Sequence, residues 1–275
     1  MSDKPFRFAV QATAQDGTQW LATARRAEEL GYSALLTADG MQLPSPLPAL
    51  ALAAGATTWL HVGTFVLASP LRPPRLAAWD AHTLSELTGG RFEFGIGTGL
   101  PQVVTQSVEL AGQPETTGAQ RLALAEQAID ALRSLDGDSV HTPVLMAAAG
   151  PRARAVAAAK ADIITVAAGP LTSRDDAARL TGEIRSMAGP RGDSIEFISP
   201  IFVVGDEVPP WMQRFLRADF GDMVAADSLY ILRGSTQQMA DELRRRRDTI
   251  GVSYVSVQAA FIEQVAPVVE LLAGH

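Results

Sequence analysis

An eight-stranded parallel α/β barrel is the fold this sequence predicts, on three observations. Apolar runs of strand length alternate with helix-period segments along all 275 residues, and eight such pairs can be counted. No Pro/Gly/Ser-rich linker divides them, so a single domain over residues 1–275 is expected. The stretch from Gly63 to Gly99 is a complete strand–helix–strand unit whose second strand ends in glycines. Parallel neighbours need such a crossover, and it turns right-handed. An open, doubly wound sheet is the competing arrangement.

In order, Phe6 to Gln11 reads as the first strand. Asp16 and Gln19 then have the spacing of a capping box, ahead of a helix carried by Trp20, Leu21, Ala24, Ala27 and Leu30 and ended by Gly31. Ala34 to Ala38 is the second strand, stopped at Asp39-Gly40, and His61 to Leu67 is the third. Pro70, Pro73 and Pro74 end it, and Pro74 can open a helix because its missing N–H would have no partner there. Ala77, Ala81, Leu84 and Leu87 give that helix its apolar face, and Gly89-Gly90 cap it. In the fourth strand Phe92, Phe94 and Ile96 alternate with Glu93, Gly95 and Gly97, so the glycine side admits a backbone or a flat ligand. A helix over about 119–135 follows. The fifth to eighth strands are Val144 to Ala148, Asp162 to Val166, Glu196 to Val204 and Ser253 to Phe261, and Glu263 to Leu272 is the closing helix.

Hydrophobic residues make up 47% of the chain and charged ones 19%, enough for a large core. The net charge of −7 argues against a nucleic-acid partner, which needs a basic face. The run Arg244 to Arg247 shares its helix with Asp241, Glu242 and Asp248 and reads as a solvated face. The absence of cysteine removes disulfides, thiolate chemistry and iron–sulfur clusters. MSDKPFRFAV lacks a secretory pattern and no apolar run reaches the length of a membrane span, so a cytoplasmic location is expected.

Ligands bind at the carboxyl ends of barrel strands. That rule selects Gln11, Asp39, Phe65 to Ser69, Gly97 to Gly99, Ala147 to Gly150, Thr165 and Gln258. Gly95-Ile96-Gly97-Thr98-Gly99 is either a tight turn or a place for ligand against bare backbone, and it lacks the third glycine of a dinucleotide fingerprint. Gly150-Pro151 starts a helix, whose free amides make an anion site; Arg152 and Arg154 in its first turn either face that anion or are solvated. Asp39 either orients a substrate or caps its turn. Glu93 lies too early on its strand to reach the mouth and is read as structural, with Arg7 as partner. The four histidines stand apart, which excludes a histidine metal site, and there is no GxSxG or Walker loop. The connection from Gly205 to Gly234, with Trp211, Phe215, Phe220, Met223 and Tyr230, reads first as helix packing and second as a cap on the mouth or a subunit contact.

In order along the chain, RFAVQ, ARRAEELGYSALLTAD, the Gly63–Gly99 segment, AAAGPRARAVAAAKADI and GVSYVSVQAAFIEQVAPVVELL resemble the luciferase-like flavin and deazaflavin oxidoreductases, especially the branch that uses coenzyme F420. The resemblance implies a barrel with the isoalloxazine-like ring at its mouth, packed on a non-prolyl cis peptide at Phe65-Val66. It further implies that Asp39, Thr98, Gly99, Ala148, Ala149, Gly150, Pro151 and Thr165 hold the cofactor, with Asp39 and Thr98 as catalytic candidates and Tyr230 behind them. Members that oxidise a sugar phosphate carry a histidine and a glutamate where this chain has Gly40 and Leu100, which argues against that chemistry here. Relatives also place a longer insertion before the fifth strand, where this chain has only DGDSVHTP. The expectation is an F420-dependent reductase acting on a small molecule, as a homodimer. The alternatives are a flavin mononucleotide (FMN) monooxygenase and a catalytically silent flavin-binding subunit.

Overall fold

The eight apolar runs close on themselves into a (β/α)8 barrel. The computed structural model describes residues 4–166, 169–216 and 218–275. Its strands are β1 (Arg7–Gln11), β2 (Ala34–Thr37), β3 (His61–Thr64, resumed at Leu67–Ala68), β4 (Phe92–Gly97), β5 (Val144–Ala148), β6 (Ile163–Val166), β7 (Glu196–Ile201) and β8 (Val252–Gln258). Each pairs in parallel with the next, and β8 returns to β1 with Tyr254 opposite Arg7 and Gln258 opposite Gln11.

Helices α1 (Gly17–Glu29), α2 (Pro46–Gly55), α3 (Pro74–Leu87), α4 (Pro101–Glu109), α5 (Gly118–Asp136), α6 (Pro151–Lys160) and α7 (Arg174–Ala188) follow β1 to β6, with α4 and α5 both after β4. After β7 come α8 (Pro210–Leu216), α9 (Phe220–Ala225) and α10 (Thr236–Ile250), and α11 (Ile262–Leu272) closes the ring. The Asp16 carboxylate accepts the Gln19 amide at 2.9 Å, as its spacing predicts. The main core lies between strands and helices, where Phe8, Phe92, Phe94 and Met146 are buried.

Inside the barrel the side chains form layers. At the amino ends of the strands, Arg7 bonds Glu93, bonds Glu196 at 2.8 Å and lies over the Tyr254 ring, whose hydroxyl donates to Glu93 at 3.0 Å. Glu93 is therefore structural, as expected. Burial pushes the Glu196 carboxyl and the Tyr254 hydroxyl upward in pKa. Ala9, Leu36, Leu145 and Ile198 form an apolar middle layer. Gln11, Ser256 and Gln258 cross the carboxyl end, where Gln11 Nε2 donates to Ser256 Oγ at 2.6 Å and Gln258 Nε2 donates to Gln11 Oε1 at 3.0 Å.

Three strands depart from expectation. β8 ends at Gln258, where Ala259–Phe261 turns into a 3-10 helix and does not extend the strand to Phe261. β3 is not continuous from His61 to Leu67: Gly63 pairs with Glu93 and Leu67 with Ile96, so four steps along β3 match three along β4. The extra residue makes a bulge. β7 leaves the barrel after Ile201, and Val203–Val204 pairs instead with Ile231–Leu232 in a separate parallel ribbon. A second small core forms there around Phe202, Met212, Leu216 and Met223.

Candidate active site

The β3 bulge is shaped by its neighbour's glycines. The Phe65-Val66 peptide is cis. A Cβ on Gly95 would lie 1.7 Å from the Thr64 carbonyl oxygen, and one on Gly97 would lie 2.9 Å from a Val66 methyl. Thr64 Oγ1 donates to the Gly95 carbonyl at 2.7 Å and accepts the Gly95 amide at 2.9 Å, replacing the ladder bonds that the bulge interrupts. The glycine side of β4 thus admits the β3 backbone at Gly95 and the Val66 and Ala147 side chains at Gly97, so of the two open readings close approach by the chain itself is the one seen.

Asp39, just past β2, is buried at the mouth. Arg72 engages both of its oxygens, one at 3.0 Å, and the Ala68 amide donates to it at 3.0 Å. Its carboxylate ties the end of β2 to the strand that resumes after the bulge, with Oδ2 accepting two bonds and Oδ1 one.

The other expected residues fall on two arcs. Thr98 and Gly99, with Gly99 at φ +79°, follow β4. The Thr98 carbonyl accepts Arg121 Nε at 3.0 Å. Thr165 is buried opposite Ala147 in register. The Ala148 side chain turns into the core between strands and helices, so it offers the mouth only backbone, while the neighbouring Ala147 approaches Gly97 from inside the barrel. Ala149, Gly150 and Pro151 are exposed at the start of α6. Gly150 is its N-cap, without a side-chain cap bond, and no atom lies within 4 Å of its Cβ position. Arg154 folds back on this loop, donating to the Ala149 carbonyl at 2.7 Å, whereas Arg152 is exposed.

The opposite arc holds a cavity of about 410 Å³, walled by Gln11, Leu36, Phe65 and Gln258 on the barrel side and by Phe202, Trp211, Met212 and Phe215 on the other. Of the expected cofactor residues, Phe65 lines it. The connection after β7 therefore walls the mouth, which reverses the order of its two readings. Helix α8 (PWMQRFL) has two adjacent apolar rows: Met212 and Leu216 go into the small core, and Trp211 and Phe215 face the cavity. That doubled row was the available sequence signal. Tyr230 stands edge-on to Phe202, ring centroids 4.6 Å apart, outside the lining, and burial raises its pKa.

A closed parallel barrel with a bulged third strand under its mouth and an uncapped helix amino end at the rim defines a ligand-binding α/β barrel. The profile of the luciferase-like monooxygenases matches residues 5–250, and the chain belongs to that family. Among solved structures of similar fold are an F420-dependent secondary alcohol dehydrogenase bound to an F420-acetone adduct and the coenzyme F420-dependent tetrahydromethanopterin reductase from Methanopyrus kandleri. The first has TM-score 0.77 and 16% identity, covering 98% of each chain. The second has TM-score 0.73 and 16% identity, covering 98% of this chain and 99% of that one. The long-chain alkane monooxygenase LadA is similar too, at TM-score 0.75 and 15% identity over 98% of this chain and 92% of that one. Uncharacterised proteins of Mycobacterium tuberculosis and Mycobacterium bovis are 30% identical over 153 residues, 47% of this chain and 51% of theirs. The chain spans about half the length of these curated relatives. No helix among the described residues is long and apolar enough to cross a membrane.

Proposed function

We propose that this luciferase-like oxidoreductase uses coenzyme F420 and reduces an activated C=C or C=N bond of a small organic molecule. The observation that carries the reading is the split mouth: an apolar cavity on one arc and an open, uncapped helix amino end on the other. The cavity's volume of about 410 Å³ falls within the roughly 300–1,000 Å³ of small-molecule sites. Gly150 leaves room for a phosphate against the α6 amides, so the residues present fit a flat ring with an anionic tail.

Phe65 and the barrel side of the cavity would flank the ring, and Thr98, Gly99, Ala149, Gly150, Pro151 and Thr165 would hold the remainder, leaving the α8 side of the cavity to the substrate. Bound and reduced, a deazaflavin supplies a hydride. The protein's part is position and the exclusion of bulk water. Asp39, held by Arg72 and the Ala68 amide, fixes the strand that resumes after the bulge. Among the described residues the cavity lining holds no ionisable side chain, so the proton for the second half of the reduction would come from solvent at the mouth. The same lining, with Leu100 in it, offers no base for alcohol oxidation.

Titration of the purified protein with F420 and with FMN, followed by absorbance and fluorescence, tests the reading. Binding of F420 alone is expected. Binding of FMN alone would favour the monooxygenase reading, and binding of neither would sink both. Gly150→Asp, which meets open space, should leave folding intact and weaken F420 at least tenfold by setting a carboxylate against the tail. Unchanged affinity would place the tail elsewhere.

A further inference from the structure

The geometry points to an uncharged, planar, largely apolar substrate, clamped by Trp211 and Phe215 against the barrel mouth. This rests on the site assignment above and adds the substrate's chemistry. Trp211 is 54% and Phe215 57% exposed although both line a cavity, and Leu100 across from them is 60% exposed. Large apolar side chains held open to water at a concave site gain most when a matching apolar face covers them.

These rings are held in place from behind. Met212 and Leu216, one residue after each, anchor α8 in the small core. Phe202 stands between: its ring lies 5.2 Å from Phe215 at 48° and 4.6 Å from Tyr230 at 72°. Such packing fixes the aromatic wall before ligand arrives, which lowers the ordering cost of binding. A preformed aromatic face favours a flat partner over a branched one.

The described lining is uncharged. Among the described residues the lining contains no Lys, Arg, His, Asp or Glu, and the nearby Asp39–Arg72 pair is internally neutralised. A carboxylate or phosphate taken into this cavity would lose its water with no counter-charge among the described lining residues in return. The polar groups present, the Gln11 and Gln258 amides and the Thr13 hydroxyl, suit one carbonyl or similar neutral acceptor.

Coumarin and coumarin-3-carboxylate, flat probes that differ by one negative charge, test this by calorimetry on the protein with and without F420. Wild type is expected to bind coumarin at least tenfold more tightly than the carboxylate. Trp211→Ala with Phe215→Ala should lose at least tenfold in coumarin affinity, with its unfolding midpoint kept as evidence of intact folding. Leu100→Arg, at an exposed position, should gain at least tenfold for the carboxylate. Equal or tighter carboxylate binding by wild type, or full coumarin affinity in the folded double variant, would overturn the inference. Because coumarin is also titrated without cofactor, failure of F420 to bind leaves this result standing and identifies the cofactor assignment as the error.

Discussion

At Gly95 a single hydrogen atom decides whether the third strand can bulge. An alanine methyl would sit 1.7 Å from the Thr64 carbonyl oxygen, a backbone atom already fixed by the strand around it. Gly95→Ala should therefore cost about 3 kcal/mol, at the upper end of overpacking penalties. Gly150→Ala, facing empty space, should stay within about 0.5 kcal/mol of wild type. Urea unfolding of the two variants checks the contrast, and equal midpoints would mean that β3 relaxes freely. The alternation of glycine and apolar residues in FEFGIG announced a close approach; which partner approaches was hidden. Thr64 is 31 residues away in sequence, and nothing local tells a ligand from a neighbouring backbone. A similar separation, 33 residues, hid Arg72 from Asp39, so the ion-pair partner of this mouth carboxylate could not be read locally.

The fold was legible wherever an element's own period decided it, as in β5, whose bounds match the expected Val144 to Ala148, and in the Asp16-capped α1. It failed where a partner decided it: β7 keeps its apolar run through Val204, but pairing with Ile231–Leu232 draws the last two residues out of the barrel. The end of that ribbon is held by α10. Arg246 is 2% exposed and donates to the Leu229 carbonyl at 2.7 Å and to the Ile231 carbonyl at 2.6 Å. Glu242 accepts from Arg246 at 2.7 Å and from Arg174 at 2.8 Å. Burial pulls the Glu242 carboxyl upward, but the charge of Arg246 and the bonds from Arg174, Arg246 and Arg245 win and hold its pKa at about 2, below the ordinary 4.5. A depressed carboxylate stabilises the fold above its unfolded pKa and loses that contribution as pH falls through the folded one. The window here runs from pH 4.5 down to about 2. Glu242→Gln should be clearly less stable than wild type at pH 7, and the gap should shrink as pH is lowered to 3 and below. Urea midpoints at both ends read this; a gap that is constant with pH would show that the pair contributes little beyond packing.

Viewed whole, the barrel carries its polar chemistry at the two strand ends and an unusual apolar surface on one flank. α2 and α3 follow β2 and β3 in the ring and are adjacent in it. Exposed on them are Leu52 at 58%, Leu76 at 51%, Trp79 at 60% and Leu87 at 81%, and Trp59, just after α2, is exposed at 47%. Along α3 the spacing of Leu76, Trp79, Thr83 and Leu87 makes one stripe, a second face on a helix whose first face, Ala77, Ala81 and Leu84, is already buried. α2 is apolar all round, with Ala51 and Leu52 outward and Ala49, Leu50 and Ala53 inward. Lone exposed leucines are ordinary, but adjoining helices with outward leucines and a tryptophan are not. Such a face satisfies itself most simply by meeting its own copy across a two-fold axis. The expected state is a homodimer of the 29.1 kDa chain through this flank. Leu52→Glu with Trp79→Glu alters only exposed positions, so the monomer should fold as before while the like charges that meet across the axis drive it apart. Sedimentation velocity at micromolar concentration should give twice the chain mass for wild type and one chain mass for the variant. Binding at the mouth, on the carboxyl ends of the strands and away from this flank, should be unaffected. A wild-type monomer, or a variant dimer, would move the subunit contact to another surface, with the exposed aromatic wall of α8 the next face to mutate.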